Sequence, residues 1–130
     1  HNHAMFAGPG STFYSRFAGI QPAAPGYRRM IIRPVQPAGL VQVDASMRTV
    51  SGWVRSGWRQ HEGYAHRVIL PPNTRAEVHV PAPNVAAVRE SGRPALKAEG
   101  VRFLRMEKGG AVFDVGSGSY VFTVGEERHE

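Results

Sequence analysis

From Tyr27 onward apolar and polar residues exchange places at every second position, a period that suits a strand with one face buried and the other wet. Val41, Val43, Ala45 and Met47 share one face of such a strand, while Gln42, Asp44, Ser46 and Arg48 take the other. Val50, Val54 and Trp58 repeat the pattern with Gly52 and Ser56 between them. Ala76, Val78 and Val80 alternate with Arg75, Glu77 and His79; Ala111, Phe113 and Val115 alternate with Val112 and Asp114; Tyr120, Phe122 and Val124 close the set. Turn chemistry separates these runs at Glu62-Gly63, Pro71 to Thr74, Ser91 to Pro94 and Lys108 to Gly110. Short strands at this spacing, with no helical pattern between them, predict an all-β fold, an antiparallel β-sandwich of jelly-roll or Greek-key type.

Ahead of that region one short helix is expected. Phe13 and Phe17 stand four apart, Ser11 can cap the N-terminus and Gly19 the C-terminus. Gly8-Pro9-Gly10 forbids a longer helix, because in a helix interior glycine costs about 1 kcal/mol and proline about 3. Gln21 to Gly26, with two prolines, reads as a linker. The division is therefore residues 1–26, residues 27–124 as the sandwich, and residues 125–130 as a solvated tail.

A chain of 130 residues supports one domain with a real core. It opens on His1 rather than Met, which reads as the inside of a longer protein, with any signal peptide upstream. No apolar run approaches the roughly 20 residues that span a bilayer, so no membrane partner is expected. Cysteine is absent, which excludes a disulfide framework, a thiolate metal site and a cysteine nucleophile, and leaves the compartment open. The net charge is +6, but arginines 55, 59, 67, 75, 89, 93, 102 and 105 occur singly along the strands, with no basic run interleaved with aromatics, so nucleic acid is not expected either. At the front, four arginines and no acid precede Asp44, a skew that would suit an acidic neighbour. Residues 1–20 also carry Met5, Phe6, Phe13, Tyr14, Phe17 and Ile20, too much apolar surface for a free tail, so docking on another domain, on the chain's own sandwich or on a second copy is expected.

Few residues look like chemistry. His1-x-His3 lacks the third and fourth partners that a metal needs, so no metal or other cofactor is expected. His66 shares the face of Tyr64, Val68 and Leu70 and reads as a satisfied core residue; His79 falls on the polar face, with solvent as its neighbour. Trp58 aligns with the core set. Trp53 points the other way, beside Arg55, where it suits interdomain packing, a sugar platform or ordinary structural burial. Asp44 and Asp114 occupy polar-facing strand positions, and none of the ten acids sits in the paired setting that glycoside cleavage needs.

The wording of several segments is informative together. Trp58-Arg59, then Tyr64-Ala-His-Arg-Val-Ile-Leu-Pro-Pro-Asn-Thr-Arg-Ala-Glu-Val-His-Val-Pro81, Glu90 to Pro94, Glu99 to Glu107 and Val115 to Phe122 resemble the C-terminal β-sandwich of bacterial α-L-rhamnosidases of glycoside hydrolase family 78. The resemblance implies an inverting hydrolase that releases L-rhamnose from glycosides, with both catalytic carboxylates on an upstream (α/α)₆ barrel. That barrel would be the partner of this segment, and a rhamnoside the substrate of the parent enzyme. In the family an asparagine-histidine pair precedes the last barrel helix and the histidine lines the sugar pocket; Asn2-His3 matches it, which implies substrate binding by His3. Gly8-Pro9-Gly10 departs from the family's Gly-Ala-Val, and Gly57 stands where an acid often precedes the tryptophan. Three readings follow: a structural accessory domain without activity of its own, a carbohydrate-binding module using Trp53, and an independent enzyme.

Overall fold

The computed structural model describes residues 20–23, 29–34 and 42–125. The expected N-terminal helix, His3 and residues 126–130 of the expected tail lie outside them, while Gly125, expected to begin that tail, ends a strand paired with Gly63. Among the described residues eleven strands form two sheets. The first holds β1 (Ile20–Pro22), β2 (Arg29–Ile32), β6 (Arg75–Pro81), β10 (Gly110–Val115) and β9 (Val101–Glu107), in that order across the sheet. The second runs β3 (Gln42–Thr49), β4 (Gly52–Gln60), β5 (Gly63–Leu70), β11 (Gly118–Gly125), β7 (Val88–Glu90) and β8 (Arg93–Pro94). The pairing is antiparallel throughout except where β2 runs parallel to β6.

The inward faces meet in one core. Ile32, Val78, Ala111 and Phe113 from the first sheet join Val54, Trp58, Val68 and Phe122 from the second. Phe113 stacks on Phe122 with ring centroids 5.5 Å apart, an aromatic contact from sheet to sheet, and Phe103 meets Phe113 edge-on at 5.8 Å. On β4 the buried set is Val54, Ser56 and Trp58; on β5 it is Tyr64, His66, Val68 and Leu70.

Two hairpins show why particular residues sit at the turns. Ser91-Gly92 and Lys108-Gly109 each connect paired strands through two residues of positive φ, 52° and 85° in the first and 48° and 81° in the second. Paired left-handed residues match the twist of the flanking strands, and glycine takes the second position without a Cβ penalty.

Four further expectations need correcting. Val50 leaves the core set: it lies in the turn between Thr49 and Gly52, 76% exposed, with Thr49 Oγ1 donating to Gly52 O at 2.8 Å. The proline stretch read as a linker begins as a strand, with Ile20–Pro22 paired against β2 at the sheet edge, where a residue lacking an N–H is tolerated. Asp114 is covered rather than solvated, and so is His79. Both lie on the central strands β10 and β6, where the side chains of neighbouring strands close over them; all six residues of β10 are buried.

A bulge decides the outer face of the first sheet. Val112 pairs with Arg105 but the next residue, Phe113, pairs with Phe103, so Leu104 is an extra residue on β9. Strict alternation would send Phe103 and Arg105 to the same side; the bulge lets Phe103 pack on the core while Arg105 turns outward to Glu77.

Candidate functional site

Three polar residues of the second sheet meet inside the core. Ser56 Oγ lies 2.7 Å from His66 Nε2, and Tyr64 Oη lies 3.3 Å from His66 Nδ1. A serine-histidine pair at this distance could generate a nucleophile. Here it cannot receive a substrate, because Ser56 is 1% and His66 0% exposed, enclosed in the core beside Trp58. Burial lowers the His66 pKa to about 3 and pushes the Tyr64 phenol far above its ordinary value, so both stay neutral. In either tautomer one ring nitrogen donates to one hydroxyl and the other accepts from the second. His66 is the satisfied core residue that its position on the strand predicts.

The outer face of the first sheet is a ladder of matched charges. Arg75 Nη2 donates to Asp114 Oδ2 at 2.7 Å, and Arg102 approaches the same oxygen at 3.5 Å. Burial would raise the Asp114 pKa, but the hydrogen bonds and charges of Arg75 and Arg102 together outweigh it and hold the carboxyl below its ordinary value. That is the wrong direction for the proton donor of a glycosidase, which needs a raised pKa. Arg105 pairs with Glu77 at 3.1 Å. At the end of this face, a cavity of about 320 Å³ is lined by Arg33, His79, Glu107 and Lys108. Glu107 Oε1 lies 3.6 to 3.7 Å from Arg33, His79 and Arg105, and His79 Nε2 has no hydrogen-bond partner among the described residues. Burial and the charge of Arg33 lower the His79 pKa.

The outer face of the second sheet is different. Arg48, Arg55, Arg59, Arg67 and Arg89 are all exposed there, on β3, β4, β5 and β7, with Asp44 as the acid among them. Arg67 pairs with Gly57, one step diagonally from both Arg55 and Arg59, whose partners are Ile69 and Ala65. Gly57 leaves a trough of about 350 Å³ bordered by Asp44, Arg59, Arg67 and Val121. An added Cβ at Gly57 would collide with the Asp44 carboxylate, which lies across it.

Trp53 stands on this face at the start of β4, 39% exposed, with the Arg48 guanidinium carbon 5.8 Å from its ring centroid. It is therefore half-exposed beside arginine, as its place in the strand predicts. Sequence reasoning missed the arginine cluster because each member is single in the chain; the available signal was their shared parity with Trp53. Among the described residues no group of three histidines or acids could hold a metal ion, and no helix is long and apolar enough to cross a membrane.

Comparison with known proteins places this architecture. The family described as the bacterial alpha-L-rhamnosidase C-terminal domain matches residues 19–94. An alpha-L-rhamnosidase of Streptomyces avermitilis is 37% identical over 124 residues, 95% of this chain and 11% of that protein, and one of Formosa agariphila is 30% identical over 82% of this chain and 12% of its own length. The crystal structure of the Streptomyces avermitilis enzyme complexed with L-rhamnose superposes with a TM-score of 0.76 over 88% of this chain and 10% of that one. The alpha-L-rhamnosidase structure from Dictyoglumus thermophilum also gives 0.76, at 31% identity, over 97% and 14%. The chain thus spans about a tenth of the length of these relatives, and its central strands β10 and β11 lie beyond the family match but within the alignments that cover nearly all of it. By sequence and by fold the chain belongs to the C-terminal domain family of bacterial alpha-L-rhamnosidases.

Proposed function

We propose that this chain is the C-terminal accessory β-sandwich, of Greek-key or jelly-roll type, of an α-L-rhamnosidase that releases terminal L-rhamnose from glycosides with inversion. Residues 1–26 supply the last helix of the catalytic barrel and the connection from it, of which Ile20–Pro22 is already hydrogen-bonded into the first sheet. Residues 27–124 form the domain that braces the barrel, and both catalytic carboxylates reside upstream. One observation carries this reading. The chain aligns over 95% of its own length with only 11% of an alpha-L-rhamnosidase, as a small domain of a large enzyme would, and in keeping with an accessory role the Ser56–His66 pair is sealed in the core and Asp114 is held between two arginines with its pKa lowered.

The experiment measures aryl-rhamnoside hydrolysis by the purified 130-residue chain and by the full-length enzyme. The chain alone is expected to show no turnover, and hydrolysis by it would overturn the proposal. His3 belongs to the same reading, as a hydrogen-bonding residue of the sugar pocket. In the full-length enzyme His3→Ala is expected to lower kcat/KM with an unchanged melting temperature, because sugar hydroxyls would lose a partner. Unchanged kinetics would remove His3 from the pocket, and a collapsed melting temperature would make it structural.

A further inference from the structure

We infer that the outer face of the second sheet, centred on Arg55, Arg59 and Arg67 around Gly57, is the surface by which this domain docks on a carboxylate-bearing face of the catalytic part of the same enzyme. The inference rests on the accessory-domain reading above and adds the face and the chemistry of its partner.

The two outer faces of the molecule differ in a way that net charge does not reveal. On the first sheet four of the five described arginines are answered within the domain, Arg75 and Arg102 by Asp114, Arg105 by Glu77 and Glu107, Arg33 by Glu107, and Arg29 on β2 is the exception. On the second, no described carboxylate lies within ion-pair distance of Arg55, Arg59 or Arg67. Diagonal neighbours on a sheet stand about 7–8 Å apart, so Arg67 places three cationic side chains around one glycine. Asp44, whose carboxylate lies over Gly57 beyond ion-pair distance of all three, offsets only part of their mutual repulsion, and a further anionic neighbour would relieve the rest.

The residue types narrow the kind of neighbour. Every basic residue on this face is arginine, although lysine serves solubility equally well. The planar guanidinium forms paired bonds to carboxylates and loses its water more readily than an ammonium, which suits it to a closed interface. Between the arginines the floor is Ala65, Ile69 and Val121, all half-buried, and Trp53 borders it two positions before Arg55. A small apolar floor, a tryptophan and arginines are the composition of a protein interface. The matched segment is about a tenth of each relative, so an enzyme of their length, as proposed above, carries ample protein to cover such a face.

The test uses the full-length enzyme and compares a triple variant, Arg55→Glu/Arg59→Glu/Arg67→Glu, with a matched reversal away from this face, Arg29→Glu/Arg93→Glu/Lys97→Glu, exposed residues that make no ion pair among the described residues, by calorimetry and hydrogen exchange. The expected result is that the triple variant gives the C-terminal domain a separate unfolding transition at least about 5 °C below that of the parent enzyme, a shift of the size expected for losing a few charge pairs from a domain of this length. Exchange on β3 to β5 should rise with it, while the matched reversal leaves one coupled transition. Raising NaCl in the parent enzyme should weaken the coupling, because rim charges are screened. A folding failure of the triple variant is controlled by Arg55→Gln/Arg59→Gln/Arg67→Gln, which removes the attraction without adding repulsion and should split the transition by less. If the matched reversal splits the transition and the triple does not, the domain still braces the enzyme and the face assigned here is wrong. If deleting the whole segment leaves the melting of the remainder unchanged, the accessory reading itself fails and this inference with it. Binding of polygalacturonate by the parent enzyme that the triple variant loses, with coupling intact, would make the face a site for acidic polysaccharide and overturn the docking assignment.

Discussion

Trp58 and Trp53 lie five residues apart on one strand and have opposite environments, since an odd separation on a pleated strand means opposite faces. Trp58 is buried and stacks on Tyr64 at 6.4 Å, so Trp58→Ala is expected to cost about 3–5 kcal/mol, the range for deleting a buried large aromatic. Trp53→Ala, on the exposed side, should cost the isolated chain less than about 1 kcal/mol. Denaturant midpoints of the two variants check this, and equal shifts would reverse the assignment of faces. His66 makes the second prediction at this scale. Its folded pKa, about 3, lies below the ordinary value of 6.5, so the unfolded chain binds the proton first and stability is lost as pH falls through 6.5 toward 3. Unfolding free energy of the native chain should fall by about 2–3 kcal/mol more between about pH 7.5 and 4.5 than that of His66→Gln, since each unit of pKa difference corresponds to about 1.4 kcal/mol. Parallel pH profiles would show that His66 already carries its proton in the fold.

At the scale of the element, the bulge in β9 illustrates what a pattern hides. Val101, Phe103 and Arg105 alternate in sequence as if on one face, and only the unpaired Leu104 returns Arg105 to solvent. Deleting Leu104 should force either Arg105 into the core or Phe103 out of it. Because both outcomes bury or expose the wrong group, the expected loss is at least about 3 kcal/mol, measured by denaturant unfolding. Leu104→Ala keeps the register and should cost less than half as much, since Leu104 is only half-buried. A deletion no more damaging than the substitution would mean that β9 can slip without consequence. The turns were easier to foresee: Lys108-Gly109 and Ser91-Gly92 are local devices, and the left-handed backbone they adopt depends on two adjacent residues alone.

For the whole molecule, the decisive feature is the asymmetry between the two outer faces. A net charge of +6 could be spread evenly or collected, and apart from Arg28-Arg29 the sequence shows its arginines as single residues. Sheet order collects them: β3, β4, β5, β11 and β7 lie side by side, so arginines separated by as many as 41 positions, Arg48 and Arg89, share one surface, whereas Asp114 between Arg75 and Arg102 neutralises the other. The same non-local order buries His79 and Asp114, which alternation by itself places in water. By itself the sequence determined the β character of the chain, the positions of its turns and the core role of Trp58, His66 and Phe113, because period, turn residues and face depend on near neighbours. Only the tertiary structure decided which strands are neighbours, where the parity breaks and which charges meet, because hydrogen-bonded register joins residues far apart in the chain and no local pattern encodes it.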